Sequence, residues 1–396
     1  MTQSDTRFRR ISVIVMDSVG IGELPDASKF GDKGAHTLGH ILEQVPEIQI
    51  PHLQQLGLAN ITSLAPLDPA EHPQASYGKM AQTSIGKDTM TGHWEMMGLQ
   101  ISSPFNTYPH GFPQDLITEL EKLTGRRVIG NKSGAGLDMI EQYGEEQMKS
   151  GAWIIYTSAD SVMQIAAHED IIPLNKLYEA CKIARQLTMS PEHSVARIIA
   201  RPYRGAPGQF VRTANRRDFA VNPPEPTVLN TLQNFGYDVI SVGKINDIFS
   251  GHGITATHPT RGNENGIQVT MDVLRQDFNG LLFTNLIDFD SLYGHRRDPL
   301  GYAKALEQFD QALPDILSTI GEQDLLIITA DHGNDPVHKG TDHTREYVPL
   351  LVYSPSLQQS VDLGIRTTYS DIGATIADNF RTGGPLHGES FLDKLK

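Results

Sequence analysis

Four short segments place aspartate and histidine at the ends of apolar runs, where together they could hold divalent cations. The run Ile11–Met16 ends in Asp17 and the turn Ser18-Val19-Gly20-Ile21-Gly22. Leu281–Ile287 leads into Asp288-Phe289-Asp290, with His295 following. Leu325–Ala330 leads into Asp331-His332-Gly333-Asn334-Asp335, and Gly340-Thr341-Asp342-His343-Thr344-Arg345 precedes an apolar run at Val348. Singly, an aspartate at a strand end is a cap or turn former, and a loop histidine is no ligand. Together, Asp17, Asp290, Asp331, His295, His332 and His343 form a mixed oxygen and imidazole set. That set suits Mn²⁺ or Zn²⁺ better than Ca²⁺. Two such ions roughly 4 Å apart clamp an in-line phosphoryl displacement.

The segment Gly86-Lys87-Asp88-Thr89-Met90-Thr91-Gly92-His93-Trp94 supplies hydroxyls that could accept the phosphoryl group. It is no P-loop, because the GxxxxGK spacing and the Ser/Thr after lysine are both missing. A threonine hydroxyl attacks at neutral pH only when a base or metal activates it. Residue type leaves Thr83, Ser84, Thr89 and Thr91 all open.

These residues need strands to carry them. Ile11–Met16, Val239–Val242, Leu281–Ile287, Leu325–Thr329 and Val348–Tyr353 read as buried strands of an α/β sheet. In open sheets of this kind ligands gather beyond the carboxyl ends of the strands. Tyr302, Leu306, Phe309, Leu313, Ile316 and Ile320 recur at helical spacing, with Pro314 expected to kink or divide that helix. Ser370 is the expected N-cap of a helix through Ile372, Ile376 and Phe380. Alternating elements predict a mostly parallel sheet flanked by helices. Pro104, Pro109 and Pro113, then Pro223, Pro224 and Pro226, bracket a stretch read as an inserted smaller α/β cap domain over 104–220. The flanks, 1–103 and 221–396, form a discontinuous core.

Composition narrows the partners. The 396 residues carry a net charge of −14, which disfavours binding to nucleic acid or anionic lipid. No apolar run approaches the ~18 residues of a membrane span. The run after Arg7, Arg9 and Arg10 ends at Asp17, too short for a signal peptide. The single cysteine, Cys181, excludes an internal disulfide framework. A cytoplasmic protein is therefore expected. Within this acidic chain, the stretch from His193 to Arg217 holds six arginines and no Asp, Glu or Lys. The planar guanidinium fork suits phosphate.

The segments VMDSVGIG (15–22), GKDTMTGHWE (86–95), YTSADSV (156–162), GHRRDP (294–299), ADHGNDP (330–336) and TDHTREYVPLL (341–351) resemble the metal-dependent bacterial phosphopentomutases of the alkaline phosphatase superfamily. The resemblance spans nearly the whole chain and implies an alkaline-phosphatase-like core with an inserted cap. It selects Thr89 as the phosphorylated residue. It places Asp17, Asp331 and His332 on one Mn²⁺, and Asp290, His295 and His343 on a second. It assigns Arg197 and Lys244 to substrate phosphate and Asp160 to ribose hydroxyls. The implied reaction interconverts ribose or deoxyribose 1-phosphate and the 5-phosphate through a 1,5-bisphosphate. A sugar bisphosphate of the glucose 1,6-bisphosphate type would prime it. Pentose phosphates are the expected partners, with no obligatory protein partner. The rivals are a hydrolase of the same superfamily, a cofactor-independent phosphoglycerate mutase (which uses a serine) and a non-catalytic sugar-phosphate sensor.

Overall fold

The protein is described by a computed structural model covering all residues except 1–5, 104, 159, 160 and 386. It separates into two compact units. One comprises Met1–Ser103 with Pro223–Lys396; the other is Pro104–Asn222.

Among the described residues, the first unit is built on an eight-stranded sheet. Its order is Ala256–His258, Asp238–Val242, Gly280–Leu286, Arg10–Met16, Asp324–Thr329, Val348–Tyr353, Ser76–Met80, Asp362–Arg366. The first five strands are mutually parallel. Gly280–Leu286 and Asp324–Thr329 are buried throughout, and Arg10–Met16 is buried beyond Arg10, as expected of strands covered on both faces. Polar anchors fix the amino-terminal end of the central strand: the Arg10 guanidinium pairs with Asp324 and donates to the Leu274 carbonyl at 2.7 Å. The mostly parallel α/β sheet read from the sequence is therefore present.

One strand departs from the majority direction, and two readings need correction. Val348–Tyr353 runs antiparallel to both of its neighbours. Pro314 lies inside one continuous helix, Pro299–Ser318, and does not divide it. Ser370 is the first residue of the helix Ser370–Phe380 rather than its cap, and its hydroxyl has no partner. Its amide is instead taken by Thr368 Oγ1 at 3.2 Å, and the amide of Tyr369 by Glu95.

Among the described residues, the second unit carries a mixed six-stranded sheet. Helices Gln114–Thr124 and Leu174–Leu187 pack one face through Leu116, Leu120, Leu177 and Cys181. Helix Gly136–Ser150 packs the other through Met139 and Ile140 against Ile154, Tyr156 and Tyr203. No helix among the described residues is long and apolar enough to cross a membrane.

Candidate metal centre

Parallel strands deliver their carboxyl ends to one sheet edge. Met16 is followed there by Asp17, and Thr329 by Ala330 and Asp331. After Gly280–Leu286 the chain enters a π-helix, Phe289–Gly294, in which the His295 amide donates to the Asp290 carbonyl at 3.0 Å. Because Val348–Tyr353 runs the other way, its amino-terminal end brings His343 to the same edge. The antiparallel direction thus supplies what a parallel strand would have carried away.

The six expected ligands meet. Asp17, Asp331 and His332 offer ligand atoms within 4.8 Å of one another, and so do Asp290, His332 and His343. His295 Nε2 lies 3.3 Å from Asp290 Oδ2 and 3.1 Å from His343 Nε2. His332 thus stands between the two groups, and its ring stacks on that of His343 at 4.0 Å. Asp17 and Asp331 are fully buried, and Asp290 is 4% exposed.

Backbone contacts fix the imidazole tautomers. The Nδ1 atoms of His295, His332 and His343 face the carbonyls of Thr341, Gly333 and Lys87 at 2.9–3.0 Å. With metal bound, each ring would keep its proton on Nδ1 and turn the Nε2 lone pair inward, the arrangement a metal ligand needs. Two such lone pairs, on His295 and His343, point at each other. Asp17 Oδ1 and Asp331 Oδ2 are buried with no hydrogen-bond partner. Facing lone pairs and orphaned carboxylate oxygens are costly alone and fit a divalent cation.

The electrostatics agree. Burial, with Asp331 and Asp290 nearby, pushes the Asp17 carboxyl up to about 6. Burial opposes ionisation of Asp331 and Asp290 too, but His332 and His93 beside the first, and His343 and His295 beside the second, hold both below the usual carboxylate range. Burial also works against a charged His332, yet Asp331 and Asp17 raise it to about 10. The carboxylates demand positive charge, and in the absence of metal a proton on His332 supplies part of it.

Thr89 begins the helix Thr89–Met96, with Asp88 as its cap. Its Oγ1 lies 3.2 Å from His332 Nε2. The other candidate hydroxyls are engaged elsewhere. Thr91 Oγ1 donates to Asp88, Thr83 Oγ1 donates to the Thr367 carbonyl, and Ser84 Oγ accepts from the Ile101 amide. Gly92 lets this helix touch the strand end, since a Cβ there would lie 2.2 Å from the Asp331 carbonyl oxygen. Alanine normally stabilises a helix interior by about 1 kcal/mol over glycine. Here Gly92→Ala is expected to destabilise by about 1–3 kcal/mol through overpacking and to lower metal content. Thermal melting and elemental analysis check this.

Lys244, which precedes the short helix Ile245–Ile248, favours the ionised form of Asp17. Arg197 opens the strand Arg197–Arg204 of the second unit, its amide donating to the Ser161 carbonyl at 3.2 Å. Asp160 lies outside the described residues.

Several supporting groups had no role assigned from the sequence, although His93, Arg297, Asn334 and Glu346 lie inside its motifs. Asn285 Nδ2 donates to Asp17 Oδ2 at 2.9 Å, and Asn334 Nδ2 to Asp290 Oδ1 at 2.7 Å. Arg297 Nη1 donates in turn to Asn334 Oδ1 at 3.1 Å. His93 Nδ1 meets the Thr89 carbonyl at 2.8 Å. The buried Glu346 carboxylate accepts from Gly22 N, Thr37 N, Thr37 Oγ1 and Thr344 Oγ1 at 2.6–3.1 Å, tying the Asp17 loop to the His343 loop.

Residues 9–383 match the family described as the Metalloenzyme superfamily. The chain belongs to the Metalloenzyme superfamily. As a member of that superfamily it is a metal-dependent enzyme, which accords with its buried donor set. Its fold is similar to that of Leishmania mexicana phosphoglycerate mutase, crystallised at low cobalt concentration, with 12% identity, 98% of each chain covered and a TM-score of 0.50. A Pyrococcus horikoshii protein matches at 15% identity over 96% of this chain and 100% of its own, with a TM-score of 0.49. An alkaline phosphatase from the Antarctic bacterium TAB5 matches at 12% identity over 95% and 98%, with a TM-score of 0.34.

Proposed function

We propose that the protein is a phosphopentomutase that moves a phosphoryl group between the 1- and 5-oxygens of ribose or deoxyribose through Thr89. The observation that carries this reading is the Thr89 hydroxyl set against His332, the residue shared by both ligand groups. In this reading Asp17, Asp331 and His332 hold one divalent cation, and Asp290, His295 and His343 a second, with Mn²⁺ the proposed metal. When bound, the cations supply Lewis-acid polarisation of the phosphoryl oxygens and stabilise the attacking and leaving oxygens.

The chain's own residues do the rest. Thr89, primed by a sugar bisphosphate, carries the phosphoryl group. Its P–O bond breaks as a bond forms to the free sugar hydroxyl, whose proton passes to Thr89 Oγ1. The resulting pentose 1,5-bisphosphate turns and returns its other phosphoryl group to Thr89. Lys244, Arg197 and Asp160 are proposed to hold the sugar phosphate and its hydroxyls. Residues 104–220 are proposed to act as a cap, because phosphothreonine must be shielded from water during that turn.

Intact-mass analysis after incubation with Mn²⁺ and glucose 1,6-bisphosphate tests this. One added phosphoryl group mapping to Thr89, and conversion of ribose 1-phosphate to the 5-phosphate without release of inorganic phosphate, are expected. Phosphate release in step with substrate loss would make the protein a hydrolase. The fold likeness to the Leishmania enzyme favours a phosphoglycerate mutase as the second reading, and turnover of 3-phosphoglycerate would select it.

The supporting amides give a separate prediction. Asn334→Ala frees Asp290 Oδ1 and is expected to weaken metal binding about 10- to 100-fold, as loss of a group that orients a ligand does. Competition against a chelating dye measures it.

A further inference from the structure

The segment GHRRDP supplies one proposed ligand, His295, and two positions later a residue that the proposed reaction does not use. Arg297 has a backbone φ of +55°. That left-handed conformation is free to glycine and costly to arginine. The turn between two helices imposes it. The Arg297 amide donates to the Gly294 carbonyl at 3.1 Å and the Asp298 amide to the Tyr293 carbonyl at 3.0 Å, closing the π-helix Phe289–Gly294. Asp298 then caps Pro299–Ser318 through the Gly301 amide at 2.9 Å. Glycine would serve the turn better, so the use of an arginine here lies in its side chain.

That side chain ties together the loops around Asp290, His295 and His343. Nη1 donates to Asn334 Oδ1 at 3.1 Å and to the Asp335 carbonyl at 2.5 Å, and Nη2 donates to the Asp342 carbonyl at 3.3 Å. Two of these acceptors lead to ligands. By taking the amide oxygen of Asn334, Arg297 turns its NH₂ group toward Asp290, to whose Oδ1 it donates at 2.7 Å. Asp342 precedes His343, whose amide donates to Asp342 Oδ1 at 2.8 Å and whose Nε2 lies 3.3 Å from that same Asp290 oxygen. The packing is close, since a Cβ on Gly294 would lie 2.8 Å from Asn334 Nδ2. Burial pulls the Arg297 guanidinium below its usual value, and the charges of Asp335, Asp342 and Asp290 work against that pull. The other ligand group is held by different donors. Asp17 Oδ2 accepts from Asn285 Nδ2 at 2.9 Å, and Asp331 Oδ1 from the Ser18 amide at 3.0 Å.

A planar fork engaging three acceptors holds separate loops in one geometry, which a point charge on a flexible stem does not. We propose that Arg297 is a positioning residue for the second cation alone. Through Asn334 and the Asp342 carbonyl it sets Asp290 and His343 for that ion, and it leaves the ion held by Asp17, Asp331 and His332 unaffected. The inference rests on the two-cation reading of the site and is independent of the substrate.

Titration of metal-stripped, full-length protein with Mn²⁺ against a chelating dye tests this. Wild type is expected to take two ions. Arg297→Lys keeps the charge and loses the fork, whereas Arg297→Gly loses both and relieves the backbone. In each variant one ion is expected to bind at least ~10-fold more weakly, the scale of removing a group that orients a ligand, and the other to stay within about twofold of wild type. At matched Mn²⁺ the electron paramagnetic resonance signal should shift from that of neighbouring, coupled ions to that of an isolated one. The lysine variant decides the matter if the glycine variant does not fold. Both ions weakened alike would reduce Arg297 to a general structural role, and two ions bound as in wild type would leave it none; either result overturns the proposal. Wild-type protein that binds fewer than two ions refutes the two-cation reading itself, and the proposal with it.

Discussion

Thr89→Ala is expected to give a folded, metal-loaded protein that takes up no phosphoryl group and has lost about 10³-fold or more of the proposed mutase activity, the scale of removing a nucleophile. The fold should survive because the helix start does not depend on Thr89. Asp88 caps it through the Thr91 amide at 3.1 Å, and that contact remains. No neighbour can take over. Thr91, Thr83 and Ser84 each spend their hydroxyl on another protein atom, and none is the group 3.2 Å from His332. Mass mapping after incubation with glucose 1,6-bisphosphate decides the matter: phosphate retained on any other residue refutes the assignment.

Asp17→Asn is expected to move activity and stability in opposite directions. The amide keeps an oxygen to accept from Asn285 but loses the charge, so metal content should fall and activity drop about 10³-fold or more. In metal-free protein the same change should stabilise. The Asp17 carboxyl is raised in the folded state from 3.8 to about 6. A raised carboxyl weakens the fold as pH climbs through that window, and the penalty is complete above it. Asparagine has no such penalty. Metal-stripped Asp17→Asn should therefore melt above metal-stripped wild type at pH 7, with the gap closing below pH 4. Equal melting temperatures at pH 7 would contradict the electrostatic account of this cluster.

Much of the candidate site could be read in the sequence because most of its proposed ligands follow apolar runs, His343 instead preceding one. A fully buried run ending in aspartate marks a strand end, and parallel strands bring those ends together. What escaped was direction and support. A strand buried on both faces looks the same whichever way it runs, so nothing in Val348–Tyr353 announced that it is antiparallel. Asn285 and Asn334 hold the carboxylates of Asp17 and Asp290 through neutral amides that resemble ordinary strand and turn residues. Glu346 lies inside the TDHTREYVPLL segment, yet nothing in that motif discloses its four bonds. Ser370 failed as a cap because Thr368 and Glu95, one near in sequence and one distant, had already claimed the amides. Residue type left four hydroxyls open and the family resemblance pointed to Thr89; the folded chain adds the partners that engage the other three.

The strand Arg10–Met16 has a consequence for how the polypeptide is made. Both of its ladder neighbours, Gly280–Leu286 and Asp324–Thr329, leave the ribosome some 270 or more residues later. Until then an intensely apolar segment has no edge to join, a condition that invites aggregation during slow, non-local folding. Pro104–Asn222 is translated in between and closes its own sheet from local segments. Vectorial synthesis therefore favours an order in which the middle of the chain matures first, while its beginning waits for its end.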